Sequence, residues 1–335
     1  MAERPEWNAS RFVPGSTAGH YESYFQRANH PDRPLAFWIR YTVFSPRGQP
    51  DRAMGELWAV YFDGESGRIS ASKQDVPISK CRFSSTGLDV RIGTSTLADG
   101  HLEGSALCPN HYLSWSLHYS GGQPPLLLLP ESSYSAGFPK AKALVGMPMA
   151  IFNGSITVDA DRVPIDGWVG SQNHNWGSQH TDDYAWGQVA GFDGATDVFL
   201  ECSSARVRIG PLWTPRLTLM VLRLDGREFA LNGYLQAMLA RGSFGIEDGL
   251  CRWKLHSRTQ TLGVSGEIRA PASLFVGLRY GNPPGGVKTC LNTKLADCEL
   301  TVERPGHAPM RLTAAHRAAF EILTDRQDHG IAIVA

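Results

Sequence analysis

The run Gly170-Ser171-Gln172-Asn173-His174-Asn175-Trp176-Gly177, followed by Tyr184-Ala185-Trp186-Gly187-Gln188, concentrates a histidine, two tryptophans, a tyrosine and several amides in one short stretch. Residues two apart on a strand share a face. His174 and Trp176 therefore point one way, and Tyr184, Trp186 and Gln188 share a face of their own. Such a surface, aromatic and able to hydrogen-bond, suits a largely apolar ligand with one reacting or polar point. Downstream, Asp197-Val198-Phe199-Leu200-Glu201-Cys202-Ser203 sets a carboxylate in an apolar strand, with Phe199 and Glu201 on one face and Val198, Leu200 and Cys202 on the other. A carboxylate among apolar neighbours is costly unless paired or protonated. A desolvated glutamate with a raised pKa is also what a general acid at neutral pH requires.

These residues predict an acid–base site in which His174 and Glu201 converge within hydrogen-bond reach as the catalytic pair. Asn173, Trp176, Tyr184, Trp186, Gln188 and Phe199 would line the substrate, and Trp213 with Arg216 would close the mouth. The bland alternative makes Asn173 to Gly177 a tight corner whose side chains satisfy backbone groups. Other chemistries fit less well. His174, His180, Asp182 and Asp183 do not form a metal-ligand spacing, and no metal is expected. Asp182 and Asp183 read as caps of a turn, and Cys202 as core. No Gly-x-Ser-x-Gly elbow, Gly-x-Gly-x-x-Gly or Walker A run occurs, so serine hydrolysis and nucleotide binding are disfavoured and no cofactor is expected. In the first half, Arg40 inside an apolar strand and Glu56 opening the next read as a buried or half-buried ion pair fixing register, with a place in the cavity wall as the rarer alternative.

What positions these groups is strand. Phe37 to Phe44 is aromatic and β-branched and closes at Ser45-Pro46-Arg47-Gly48; Glu56 to Phe62 ends at Asp63-Gly64. Turn signals recur at short intervals along the chain, the rhythm of antiparallel meanders that close into barrels or sandwiches. Helix is scarce: Leu235, Met238 and Leu239 suggest one short amphipathic helix, and Ala314 to Thr324 reads equally as helix or closing strand. Two segments echo each other, Gly104 through Pro109 to Tyr119 and Gly266 through Pro271 to Tyr280, which suggests a duplicated β domain.

The 335 residues suffice for two domains or one large β domain. Lys+Arg and Asp+Glu are both 32, so no basic field exists to hold a phosphate backbone and nucleic acid is not an expected partner. No apolar run approaches a membrane span, and the start Met1-Ala2-Glu3-Arg4-Pro5-Glu6-Trp7 lacks an apolar signal core. Six scattered cysteines without a Cys-x-x-Cys pair fit a reduced, cytoplasmic protein.

Gln172-Asn173-His174-Asn175-Trp176-Gly177, the Tyr184-x-Trp186-Gly187-Gln188 run and the Phe199-Leu200-Glu201 strand together resemble the AttH / hydroxyneurosporene synthase group and the related tocopherol cyclases. The likeness covers most of the second half and extends more loosely to Gly19-His20-Tyr21-Glu22-Ser23-Tyr24 in the first. It implies an all-β fold of two consecutive lipocalin-like antiparallel β-barrels with few short helices, shared with fungal decalin-forming cyclases. It also implies cofactor-free addition of water, or of an internal hydroxyl, to an isoprenoid double bond. The family's His-x-Trp falls on His174 and Trp176, and its catalytic carboxylate on Glu201, where aspartate has become glutamate and Phe199 replaces a tyrosine. The expected domains are 1–164 and 165–335, the second carrying the His-x-Trp motif. The expected function is a hydratase or cyclase working by general-acid chemistry on a carbon–carbon double bond of an apolar, isoprenoid-like or polyketide-like small molecule. A non-catalytic lipocalin-type carrier of such a ligand is the alternative.

Overall fold

In a computed structural model of the chain, which describes residues 5–108 and 111–334, nearly everything is antiparallel strand. Pro109 of the glycine-to-proline echo, and Met1 to Arg4, lie outside the described residues. The strands form two large sheets, one of twelve and one of ten. From one edge the first runs Arg68–Pro77, Met54–Asp63, Leu35–Ser45, His20–Asn29, Asp161–Gly177, Ala141–Val158, Tyr112–Ser120 and His101–Leu107, then short strands to Cys81–Phe83. The second runs Arg227–Leu231, Leu217–Leu224, Ala195–Arg206, Asp183–Phe192, Met310–Thr324, Val287–Glu303, Gly263–Pro271, Leu250–Arg258 and Arg241–Glu247. Each sheet curls toward closure. Arg68–Pro77 packs against His101–Leu107 and Tyr112–Ser120, and Leu217–Leu224 packs against Arg241–Glu247 and Leu250–Arg258.

Nine strands of the two orders correspond, from Arg68–Pro77 to Ser95–Ala98 in the first and from Arg227–Leu231 to Arg241–Glu247 in the second, and the first sheet adds Asp89–Ile92 and Cys81–Phe83 at its end. Even the strand off the main path is repeated, Leu126–Leu127 on Ala141–Val158 and Val276–Gly281 on Val287–Glu303. The chain is thus two consecutive barrels of one topology. The glycine–tyrosine echo, however, aligns non-equivalent strands: Gly104 lies in His101–Leu107, whose counterpart is Leu250–Arg258 and not the strand of Gly266. The changeover between sheets comes between Gly177 and Asp183 rather than near residue 165. His174 and Trp176 accordingly belong to the first barrel, because Asp161–Gly177 pairs with His20–Asn29 on one side and Ala141–Val158 on the other. Gly170 permits that close approach: a Cβ there would lie 1.8 Å from the Arg27 carbonyl oxygen.

Strand alternation divides the buried residues into layers. Tyr24, Phe37, Tyr41, Trp115, Phe152 and Trp168 fill the first barrel; Val189, Leu200, Cys202, Met220, Trp253 and Phe320 fill the second. Phe25, Trp38, Trp58, Trp186, Leu278 and Tyr280 form a third cluster between them. The tail Met310–Thr324 is a strand, since its apolar run fills the position beside Asp183–Phe192. The short helix forms at Tyr234–Leu239. No helix among the described residues is long and apolar enough to cross a membrane.

Candidate active site

Both barrels contribute to one cavity of about 370 Å³ that lies at the interface between them. Its walls are largely aromatic and aliphatic, including Phe25, Trp38, Tyr184, Trp186 and Tyr280. Into these walls are set Arg40, Asn173, His180, Glu201 and Glu321.

Glu201 is 2% exposed. It sits on Ala195–Arg206 directly opposite Gln188 on the neighbouring strand. Trp186 Nε1–H donates to its Oε1 at 2.7 Å, and Gln188 Nε2–H to its Oε2 at 2.8 Å. The orientation of Gln188 is fixed, because its Oε1 accepts from Arg27 Nε at 2.7 Å and from Ser171 Oγ at 2.6 Å. A guanidinium nitrogen can only donate, so the amide NH₂ must face the carboxyl. Burial pushes the Glu201 pKa up to about 7, against the two neutral donors and the Arg27 charge, with Glu321 adding to the rise. Glu201 is therefore a carboxylic acid poised to release a proton near neutrality.

Glu321 is the second carboxyl in the cavity wall. Lys294 Nζ donates to Glu321 at 2.8 Å and Asn292 Nδ2 at 3.0 Å, while the same ammonium lies 5.5 Å from the Trp186 ring and 5.7 Å from Trp38. His180 stacks on Tyr21 at 3.9 Å and its Nε2–H donates to the Gly281 carbonyl at 3.1 Å. Burial, helped by the Arg40 charge, lowers its pKa to about 3, so the ring is neutral and Nδ1 remains an acceptor.

The expected pairing of His174 with Glu201 does not form. His174 turns into the first barrel, where Nε2 meets Glu22 Oε1 at 2.9 Å and Nδ1 meets the Trp7 carbonyl at 2.9 Å. Asn173 points the opposite way, and its Oδ1 accepts from the Gln188 amide that holds Glu201, at 2.8 Å. The one-residue step along the strand sends the two side chains to opposite faces. Glu22, 0% exposed, also accepts from Ser10 Oγ at 2.7 Å, from the Arg11 and Phe12 amides, and lies 3.2 Å from His20 Nε2. Burial pushes its carboxyl up, but hydrogen bonds and charge from His174 and His20 outweigh that and hold it below the usual carboxylate range. Burial lowers the His174 pKa below its ordinary value, more than Glu22 raises it. His174 Nε2–H therefore donates to the Glu22 carboxylate.

His174 nevertheless borders the same cavity, and of the other expected site residues Asn173, Tyr184 and Trp186 line it with Glu201. Gln188 stands behind Glu201 as its orienting partner. Phe199 is packed with Leu126, Val145, Ala190 and Val221. Trp176 lies under the Arg11 guanidinium, 3.8 Å away. Trp213 is 39% exposed and stacks with Arg206, while its neighbours Thr214 and Pro215 reach the cavity. Asp183 is not a turn cap; it accepts from Arg206 and Arg216. The Arg40–Glu56 ion pair is also absent: Arg40 donates to Ser23, and Glu56 takes Lys73 at 3.0 Å. Arg40 and Glu321 complete the cavity from strands that carried no motif, and His180 from the loop after Gly177. Glu321 had one signal, a lone carboxylate in the apolar run Ala318 to Leu323. Among the described residues no group of three or more His, Cys, Asp or Glu is placed to hold a metal.

No family model matches the chain. Two uncharacterised Mycobacterium tuberculosis proteins, MT0513 and Rv0493c, are each 22% identical to it over 334 residues, covering 96% of this chain and 92% of theirs. Among solved structures, an AttH-like protein of Nitrosomonas europaea matches with a TM-score of 0.56 at 13% identity, over 97% of this chain and 96% of that one. Kievitone hydratase from Nectria haematococca matches with 0.56 at 12%, over 98% and 94%. CghA in complex with Sch210972 matches with 0.57 at 15%, over 96% and 97%. The two-barrel fold is thus shared along the whole chain with these proteins.

Proposed function

We propose that the chain is a hydratase or cyclase that uses Glu201 as a general acid on a carbon–carbon double bond of an apolar small molecule bound between the barrels. The observation that carries this reading is the state of Glu201: a buried carboxyl with a pKa near 7, held by two oriented donors against an aromatic cavity. The name of one similar fold, kievitone hydratase, points the same way.

In this reading the Glu201 proton moves to one alkene carbon, and the C=C electron pair forms the new C–H bond. The positive charge left on the other carbon is met by the faces of Trp38, Trp186 and Tyr184, each contributing about 1–2 kcal/mol in a dry pocket. Water, or a hydroxyl of the substrate, then attacks that carbon, and its proton returns to the Glu201 carboxylate. Addition of external water gives hydration; attack by an internal hydroxyl gives a ring. His174 has no direct part, since both ring nitrogens are engaged away from Glu201. His180 Nδ1 is the acceptor available to orient the attacking oxygen.

The test is incubation with a panel of prenylated phenols and linear polyenes in heavy-oxygen water, read by mass spectrometry. The expected product either gains one labelled water or is an isomer of unchanged mass with one double bond fewer. Glu201→Gln should yield neither. Turnover undiminished in Glu201→Gln refutes the assignment, and binding without turnover in either protein favours a carrier.

A further inference from the structure

Arg40 is buried at 4% exposure, yet its guanidinium makes one hydrogen bond, from Nη2 to Ser23 Oγ at 2.6 Å. Among the described residues no carboxylate lies within 4 Å of it, and Nε has no partner. Its ring neighbours are Tyr280 at 4.3 Å and Trp38 at 5.9 Å, and they share the deficit: neither the Tyr280 hydroxyl nor Trp38 Nε1 has a partner among the described residues. All three residues line the cavity. A guanidinium held only for packing would stack on Tyr280 in the same way, but it would leave a buried cation and two further donors unmet.

Charge gives a second, independent indication. Arg27, Arg40 and Lys294 are buried basic side chains around the cavity, whereas among the described residues Glu201 and Glu321 are the carboxyls that line it, and Glu321 is already paired with Lys294. Glu56, whose charge also acts on Arg40, is ion-paired with Lys73 at 3.0 Å. Basic groups thus outnumber the carboxyls around the site. Topology supplies the geometry: Arg40 lies on Leu35–Ser45 and Glu201 on Ala195–Arg206, strands at equivalent places in the two sheets, both facing the shared cavity.

We propose that Arg40, with Trp38 and Tyr280, anchors an anionic oxygen group of the substrate, a carboxylate or enolate, so that the molecule acted on is an apolar skeleton with one acidic head. A planar carboxylate or enolate matches a guanidinium fork flanked by single donors. The head group held on the first barrel leaves the double bond against the aromatic wall beside Glu201. This assignment rests on the reading of the cavity as the substrate site.

The test compares binding of naphthoate and its methyl ester by calorimetry in the full chain. Wild type should prefer naphthoate about tenfold or more, as a desolvated charged contact would give. Arg40→Met should erase that preference and leave ester affinity within about twofold, since the ester does not use the fork. If Arg40→Met fails to fold, Arg40→Lys decides, with a preference reduced severalfold by loss of the fork. A preference that survives either variant undiminished, its absence in wild type, or binding of neither compound overturns the subsite. Glu201→Gln should keep the preference. A subsite that stands while no double bond is ever turned over would sink the hydratase or cyclase reading alone.

Discussion

Glu22 and Glu201 are both buried glutamates on strands of equally ordered sheets, and their chemistry is opposite. Glu22 lies inside the first barrel, where backbone amides, a serine and two histidines converge on it and hold it ionised. Glu201 lies between the barrels with two neutral donors and no contacting cation, and its pKa rises to about 7. Burial is the same; the supply of donors differs. A saturated carboxylate makes a structural anchor, and an under-supplied one makes an acid. One copy of the duplicated barrel thus spends its polar groups on holding the N-terminal segment, while the other directs them at a ligand.

The sharpest way to break this contrast is to neutralise each glutamate in turn. Glu201→Gln should lower turnover by about 10²–10⁴-fold, the range for loss of a general acid, with the fold intact by circular dichroism. Glu22→Gln should do the reverse: about 3–5 kcal/mol of unfolding free energy lost in urea titration, the cost of breaking a buried pair, with little change in turnover by the molecules that remain folded. Equal turnover losses in both variants would erase the distinction.

The pH dependence of stability carries the contrast with opposite signs. Glu201 binds its proton more tightly in the folded state, so its contribution is present in full below the unfolded value of 4.5 and is lost as pH rises to about 7. The loss is about 3 kcal/mol, at ~1.4 kcal/mol for each tenfold change. Glu201→Gln should flatten that stretch of the stability curve and exceed wild type above pH 7. Glu22, held low, contributes above its unfolded value and loses that contribution as pH falls. A smaller effect is expected from Trp186→Phe, which removes one donor to the Glu201 carboxylate. The alkaline limb of the rate profile, where Glu201 loses its proton, should move above about 7, with a rate loss under about tenfold. Trp213→Ala, at an exposed position outside the cavity lining, should change turnover by less than about twofold.

Much of this was legible in the chain. Alternation through Asp197 to Ser203 placed Glu201 on a face with Phe199 and away from Cys202, and the raised pKa followed from its apolar neighbours. The aromatic run Phe37 to Phe44 and the strand rhythm led to the barrels. What was not legible was the partner of each polar group. His174 and Glu22 are far apart in sequence, and only the pairing of Asp161–Gly177 with His20–Asn29 brings them together. The motif was read as one surface, although alternation within it sends His174 into the first barrel and Asn173 toward Glu201. Arg40 shows the same limit: its expected partner Glu56 lies on the adjoining strand, but the nearer Lys73 takes that carboxylate.

The most direct measurement is the titration of Glu201 itself, by carbon-13 NMR of protein labelled at the glutamate side-chain carboxyl. The account requires a resonance that titrates near pH 7 in wild type and vanishes in Glu201→Gln. A Glu201 resonance that titrates near the ordinary 4.5 would contradict it.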